Sequence, residues 1–133
     1  MIAQDRRNGS MIAVHGLVKT IGAQEILRGV DLDVPRGKTL AIIGRSGGGK
    51  SVLLKHLIGL MRPNAGEIWI EGQNIIEMSE RHLASIRQKV GILFQGSALF
   101  DSMTVAENIA FPLREAGERD PQVLRERVTR CWK

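Results

Sequence analysis

The chain has 133 residues, of which 43% are apolar and 25% charged, with one cysteine and no tyrosine. These values exclude wholesale disorder and an internal disulfide framework, and the length suffices for a hydrophobic core. Nineteen Lys and Arg against fourteen Asp and Glu leave a net charge of +5, which suits anionic partners or simple solubility.

Met1–Asn8 lacks the apolar stretch of a signal peptide, and no apolar run approaches the roughly twenty residues of a membrane-spanning helix. A cytoplasmic protein is expected. Residues 1–10 are polar and read as a flexible N-terminus. Met11–Val18 reads as a strand, Thr20–Ala23 as a turn and Glu25–Arg28 as a short strand. Val30, Leu32 and Val34 alternate with Asp31 and Asp33, so the two acids fall on the wet face of a strand. Pro35–Lys38 is a turn signal. Leu40–Ile43 is a continuous apolar run of the kind found in strands covered on both faces.

Ser51–Met61 reads as a helix with Leu54, Leu57, Ile58 and Met61 on one stripe, ended by Pro63–Gly66. Glu67–Glu71 alternates as a strand. Ser79 is placed to cap a helix reaching about Lys89, with Leu83, Ile86 and Val90 on one face. Val90–Phe94 is a second apolar strand, ending at Gln95. Thr104 and Glu107 have capping-box spacing for a helix that Pro112 stops. Asp120-Pro121 opens a last helix with Leu124, Val128 and Cys131 on one stripe. His15, His56 and His82 match no metal-ligand spacing and read as surface or packing residues.

The chemistry concentrates in Gly44-Arg45-Ser46-Gly47-Gly48-Gly49-Lys50-Ser51, which matches G-x-x-x-x-G-K-[ST]. A triphosphate packs several negative charges onto closely spaced oxygens. Successive backbone N–H groups can wrap it where no Cβ intervenes, and Gly47, Gly48 and Gly49 remove the Cβ atoms. The helix that follows presents its free N–H groups and positive dipole end. Lys50 is placed to reach the β- and γ-phosphates, and the Ser51 hydroxyl to bind Mg2+. The motif sits between an apolar strand and an amphipathic helix, as it must to work. Val52 continues the binding segment.

Gln95, at the end of an apolar strand, stands where ligands of open α/β sheets bind, and it either meets Mg2+ or water or caps a loop. Beyond it, Leu99, Phe100 and Met103 either fold into the core or form a patch for a partner. With aromatics at 4% and no basic helix interleaved with stacking residues, no specific nucleic-acid partner is expected.

Three segments together resemble the ATP-binding subunits of ABC transporters. Gly29–Gly37 is similar to the strand and turn before that family's P-loop, Ser51–Gly66 to the helix and turn after it, and Val90–Gln95 to the strand leading to its Q-loop glutamine. Gly49–His56 and Phe94–Glu115 look like the ATPase of Mla-type systems, which move phospholipids between bacterial membranes and include organic-solvent-resistance transporters. The resemblance implies an α/β fold, a P-loop NTPase core with an N-terminal antiparallel β subdomain, spanned over residues 11–133 and incomplete at the C-terminus. It implies ATP and Mg2+ as ligands, with Gly44, Arg45, Ser46, Gly47, Gly48, Gly49, Lys50, Ser51, Val52 and Gln95 at the nucleotide and Ser51 and Gln95 at the metal. It implies a membrane permease on Leu99 and Phe100, a second ATP-binding subunit, and a place on the inner face of the cell membrane.

Ile21 stands where the family often stacks an aromatic ring on adenine. The family's L-S-G-G-Q signature, Walker-B Asp-Glu and switch histidine do not occur after Gln95. This chain alone is therefore expected to bind nucleotide without turning it over, and it offers no catalytic residue. The central strands are expected to lack neighbours and stability to be marginal. Another P-loop enzyme, such as a small kinase, is the alternative; Arg45 and the C-terminal arginines would have to close over the phosphates, and they form no lid pattern.

Overall fold

The structure is a computed structural model that describes residues 10–94, 96 and 98–131. The expected flexible segment 1–10 lies outside the described residues except for Ser10, which begins the first strand. The described chain forms two compact units that divide between Val90 and Gly91.

The first unit is built on β1 (Ser10–Ile21) and β2 (Gln24–Pro35), followed by α1 (Lys50–Leu57), β3 (Ala65–Ile70), β4 (Gln73–Asn74) and α2 (Glu80–Arg87). The strands make one antiparallel sheet in the order β2-β1-β3-β4. Alternating apolar positions decide its inner face. Val14 and Leu17 from β1, Leu27 from β2 and Ile68 and Ile70 from β3 are buried together with Leu53 of α1, Ile75, and Leu83 and Ile86 of α2.

Two sequence segments, Glu25–Arg28 and Val30–Val34, prove to be one strand. Gly29 lies between them at φ +71°, and the β1–β2 register shifts nearby, so an irregular pairing absorbs the break. Asp31 is not merely wet: its Oδ1 accepts a hydrogen bond of 2.8 Å from the Gly16 N–H. Gly66 permits the close β1–β3 approach, because a Cβ there would lie 2.5 Å from the Gly16 carbonyl oxygen.

Two expectations fail in this unit. Leu40–Ile43 joins no ladder, and Leu40, Ile42 and Ile43 are exposed, the last to 94%. No strand lies alongside it among the described residues, and an apolar run becomes a strand only when a neighbour takes its N–H and C=O groups. In the second unit, Ile92, Leu93 and Phe94 are likewise unpaired and exposed. Helix α1 also ends earlier than Met61. Gly59, at φ +65°, donates to His56 O while Leu60 donates to Lys55 O, the paired bonds of a Schellman stop. Its buried residues are Leu53 and His56, with Leu54 left exposed. His56 Nδ1 lies 2.7 Å from Val52 O and therefore donates to it.

The second unit holds α3 (Val105–Glu115) and α4 (Pro121–Cys131). The capping box forms at Thr104 and Glu107, but Pro112 sits inside α3 and does not stop it. A proline removes one backbone donor, and the helix continues here to a Schellman stop at Gly117, φ +98°, with Glu118 N–H on Leu113 O. Leu124 and Val128 of α4 line a groove shared with Ala106 and Ala110 of α3, while Cys131 is exposed.

Candidate functional site

The glycine-rich segment leads directly into α1, and its shape follows from three contacts. Gly48 donates to Arg45 O at 3.1 Å, closing a turn. A Cβ on Gly48 would sit 3.0 Å from that oxygen. Gly49 caps the helix at φ +85° and is buried against β2, where a Cβ would come within 3.1 Å of Leu27 Cδ2 and 3.2 Å of Ile26 Cγ2. Positive φ and close packing both require glycine here. The sheet thereby fixes the origin of α1.

The first helical donors are free. The Gly49, Lys50, Ser51 and Val52 N–H groups meet no acceptor among the described residues, and the first bond of the helix is Leu53 N–H to Gly49 O at 2.8 Å. The Lys50 ammonium folds back over the loop, donating to Gly44 O at 2.7 Å and Arg45 O at 2.6 Å. Arg45, Ser46, Gly47 and Ser51 are exposed, and Val52 packs partly against the core. Free N–H groups and a hydroxyl at a helix start, with a cation on the same loop, are a combination able to hold an anion carrying several oxygens. Ile21 is 47% exposed at the end of β1, paired with Gln24. Gln95 lies outside the described residues, so the geometry of the site is that of Gly44–Val52.

The second unit presents a separate apolar feature. Leu99 is 64% and Phe100 46% exposed, and Met103 is half-buried. The Phe100 ring leans on Phe111 with centroids 4.8 Å apart. Leu99, Phe100, Met103, Val105 and Ile109 line a shallow pocket of about 280 Å³. The sequence left these residues between core and patch; Leu99 and Phe100 are exposed and Met103 is half-buried beside them. Sequence reading missed Asn108, whose side chain holds this loop, and the Ile26–Leu27 support beneath Gly49. An Asn four residues into a capped helix was the only available signal for the first.

The sequence profile described as ABC transporter matches residues 27–131. Among curated proteins, the chain is 48% identical over 120 residues to "Probable ribonucleotide transport ATP-binding protein mkl" of Mycobacterium leprae, covering 90% of this chain and 35% of that protein. It is 44% identical over 122 residues to "Methionine import ATP-binding protein MetN" of Symbiobacterium thermophilum, covering 89% of this chain and 36% of the other. The chain thus spans about a third of the length of these curated relatives. Among solved structures, a dimeric bacterial ABC transporter cassette, MJ0796, superposes with a TM-score of 0.82 at 30% identity, over 91% of this chain and 55% of that one. The same cassette in a post-hydrolysis state bound to ADP and Pi gives a TM-score of 0.81.

Proposed function

The chain belongs to the ABC transporter family, and from that premise we propose that it is the nucleotide-binding portion of a transporter's ATP-binding subunit, taking ATP with Mg2+ at Gly44–Val52. The observation that carries this reading is the row of free N–H groups at the start of α1 beside the Lys50 ammonium. The glycines keep the cradle clear, and the exposed Ser51 hydroxyl would take the metal. Bound Mg2+ would neutralise phosphate charge; Gln95 is the second residue proposed to meet it. Arg45 and Ser46 complete the loop around the phosphates. Ile21 offers the base apolar contact without a stacking ring.

Lys50→Ala should abolish binding of ATP, read by equilibrium dialysis with labelled nucleotide. Unchanged affinity would sink the assignment. Hydrolysis is proposed for the full-length subunit, paired with a second copy, and not for residues 1–133 alone.

We place the subunit against a membrane permease that contacts Leu99 and Phe100, and hence on the inner face of the cell membrane. No helix among the described residues is long and apolar enough to cross a membrane. For cargo, the likeness of Gly49–His56 and Phe94–Glu115 to Mla-type ATPases favours phospholipid. The relatives named for ribonucleotide transport and methionine import supply the competing reading. ATP turnover by the assembled transporter, stimulated by phospholipid but not by ribonucleotide or methionine, is the expected result; the reverse pattern would overturn the lipid assignment.

A further inference from the structure

Asn108 lies in the first turns of α3, half-buried, with its amide turned back toward the loop that precedes the helix. Its Oδ1 accepts from the Phe100 N–H at 2.8 Å. Its Nδ2 donates among three carbonyls: Phe100 O at 3.1 Å, Met103 O at 3.2 Å and Thr104 O at 3.1 Å. Two hydrogens serve three acceptors, so one of these bonds is shared. The reverse amide orientation would set oxygen against three carbonyls and N–H against N–H, so the hydrogen-bond pattern itself fixes which atom is which.

One side chain therefore grips Phe100 by both its N–H and its C=O, as a neighbouring strand would. The loop closes on itself through Met103 N–H to Phe100 O at 3.0 Å. The result is a fixed presentation: Phe100 rests on Phe111, and Leu99 stands out beside the shallow apolar pocket.

We propose that Asn108 is the positioning residue of this docking loop. It acts through the backbone of Phe100–Thr104, and so sets how strongly Leu99 and Phe100 engage the membrane permease. The inference rests on the partner reading above, and the test separates the two. The probe is membrane vesicles from the source organism, with binding of the 133-residue chain followed by co-sedimentation. Leu99→Asp tests the patch and Asn108→Ala tests the clamp.

Asn108→Ala should weaken vesicle binding by about tenfold, accelerate hydrogen exchange at the Phe100 amide, and leave ATP affinity unchanged. Asn108→Asp supplies a rescue. At about pH 7.5 its ionised carboxylate faces carbonyl oxygens and binding is lost, whereas below about pH 3.9, the ordinary aspartic-acid value, the protonated acid regains a donor and binding recovers in part. Asp101 beside the pocket and Glu107 in the cap are the nearby charged groups, and the wild-type chain at each pH controls for both. If Leu99→Asp weakens binding while Asn108→Ala does not, the clamp is wrong and the patch stands. If Asn108→Ala weakens binding without changing Phe100 exchange, the clamp is also wrong. If Leu99→Asp has no effect, the partner reading falls and takes this inference with it.

Discussion

Ile68 and Ile43 are the same residue in segments that read alike, and they end in opposite surroundings. Ile68 is 0% exposed in β3, paired to β1 on one side and β4 on the other. Ile43 is 94% exposed in a run that pairs with none of the described residues. Both segments satisfy the local requirements of a strand. The difference is the supply of neighbours, and it teaches that apolar patterning specifies a tendency which only a ladder converts into structure.

The largest effect should come from the paired side. Ile68→Ala should cost about 2–5 kcal/mol of stability in a denaturant titration of the chain, because it empties a closed part of the core. A loss no greater than that of an exposed residue would break the comparison. Thr104→Ala offers an intermediate case, in a helix whose start is fixed by a cap and not by a sheet. Loss of the Glu107 N–H acceptor should cost about 1 kcal/mol and fray α3, read as lost amide protection in its first turn.

A smaller and conditional effect lies at Glu71, whose carboxylate takes 2.9 Å and 3.3 Å contacts from Lys89 and Arg36. Those cations precede the two unpaired runs in the chain. The hydrogen bond from Lys89, then that from Arg36, holds its pKa below the ordinary 4.5. A depressed carboxylate stabilises the fold above 4.5 and loses that contribution as pH falls through its lowered value. Acid unfolding of Glu71→Gln should therefore show a shallower slope below that pH than the parent chain. The smallest effect belongs to Ile43→Ser. It should change stability by no more than about 0.5 kcal/mol while raising solubility, since the residue has little buried surface to lose. A cost like that of Ile68→Ala would mean that Leu40–Ile43 has a partner in solution.

The sequence made some of this architecture plain and hid the rest for identifiable reasons. The alternation in β2 and β3, the capping box and the glycine-rich loop are local patterns, and each appears where its spacing placed it. β4 was not legible, because Gln73–Asn74 is two polar residues made a strand solely by pairing with β3. The helix ends were misread at prolines when the stops were Gly59 and Gly117, whose left-handed backbone emerges only with the completed C-terminal bonds. At the site, the residues of Gly44–Ser51 were evident from their spacing. Their support was not: the contact of Gly49 with Ile26 and Leu27 joins positions more than twenty apart in the chain. Asn108 was invisible for a related reason, since its four bonds reach backward to backbone groups that carry no sequence signature.

The bonds from Lys50 to Gly44 O and Arg45 O have a consequence for how the loop receives a ligand. A free lysine must surrender the rotamer freedom of four methylenes when it grasps an anion. Here that freedom is already restricted in the folded chain, and under the proposed function an incoming phosphate would meet an ammonium already held over the loop. Preorganisation of this kind shifts an ordering cost from binding to folding. It also gives the ammonium a second occupation, because it bridges the successive carbonyls of Gly44 and Arg45. Replacing Lys50 by a residue without a cation thus unties the loop as well as removing the attraction, so a neutral side chain of similar length is no faithful imitation of the site minus its charge.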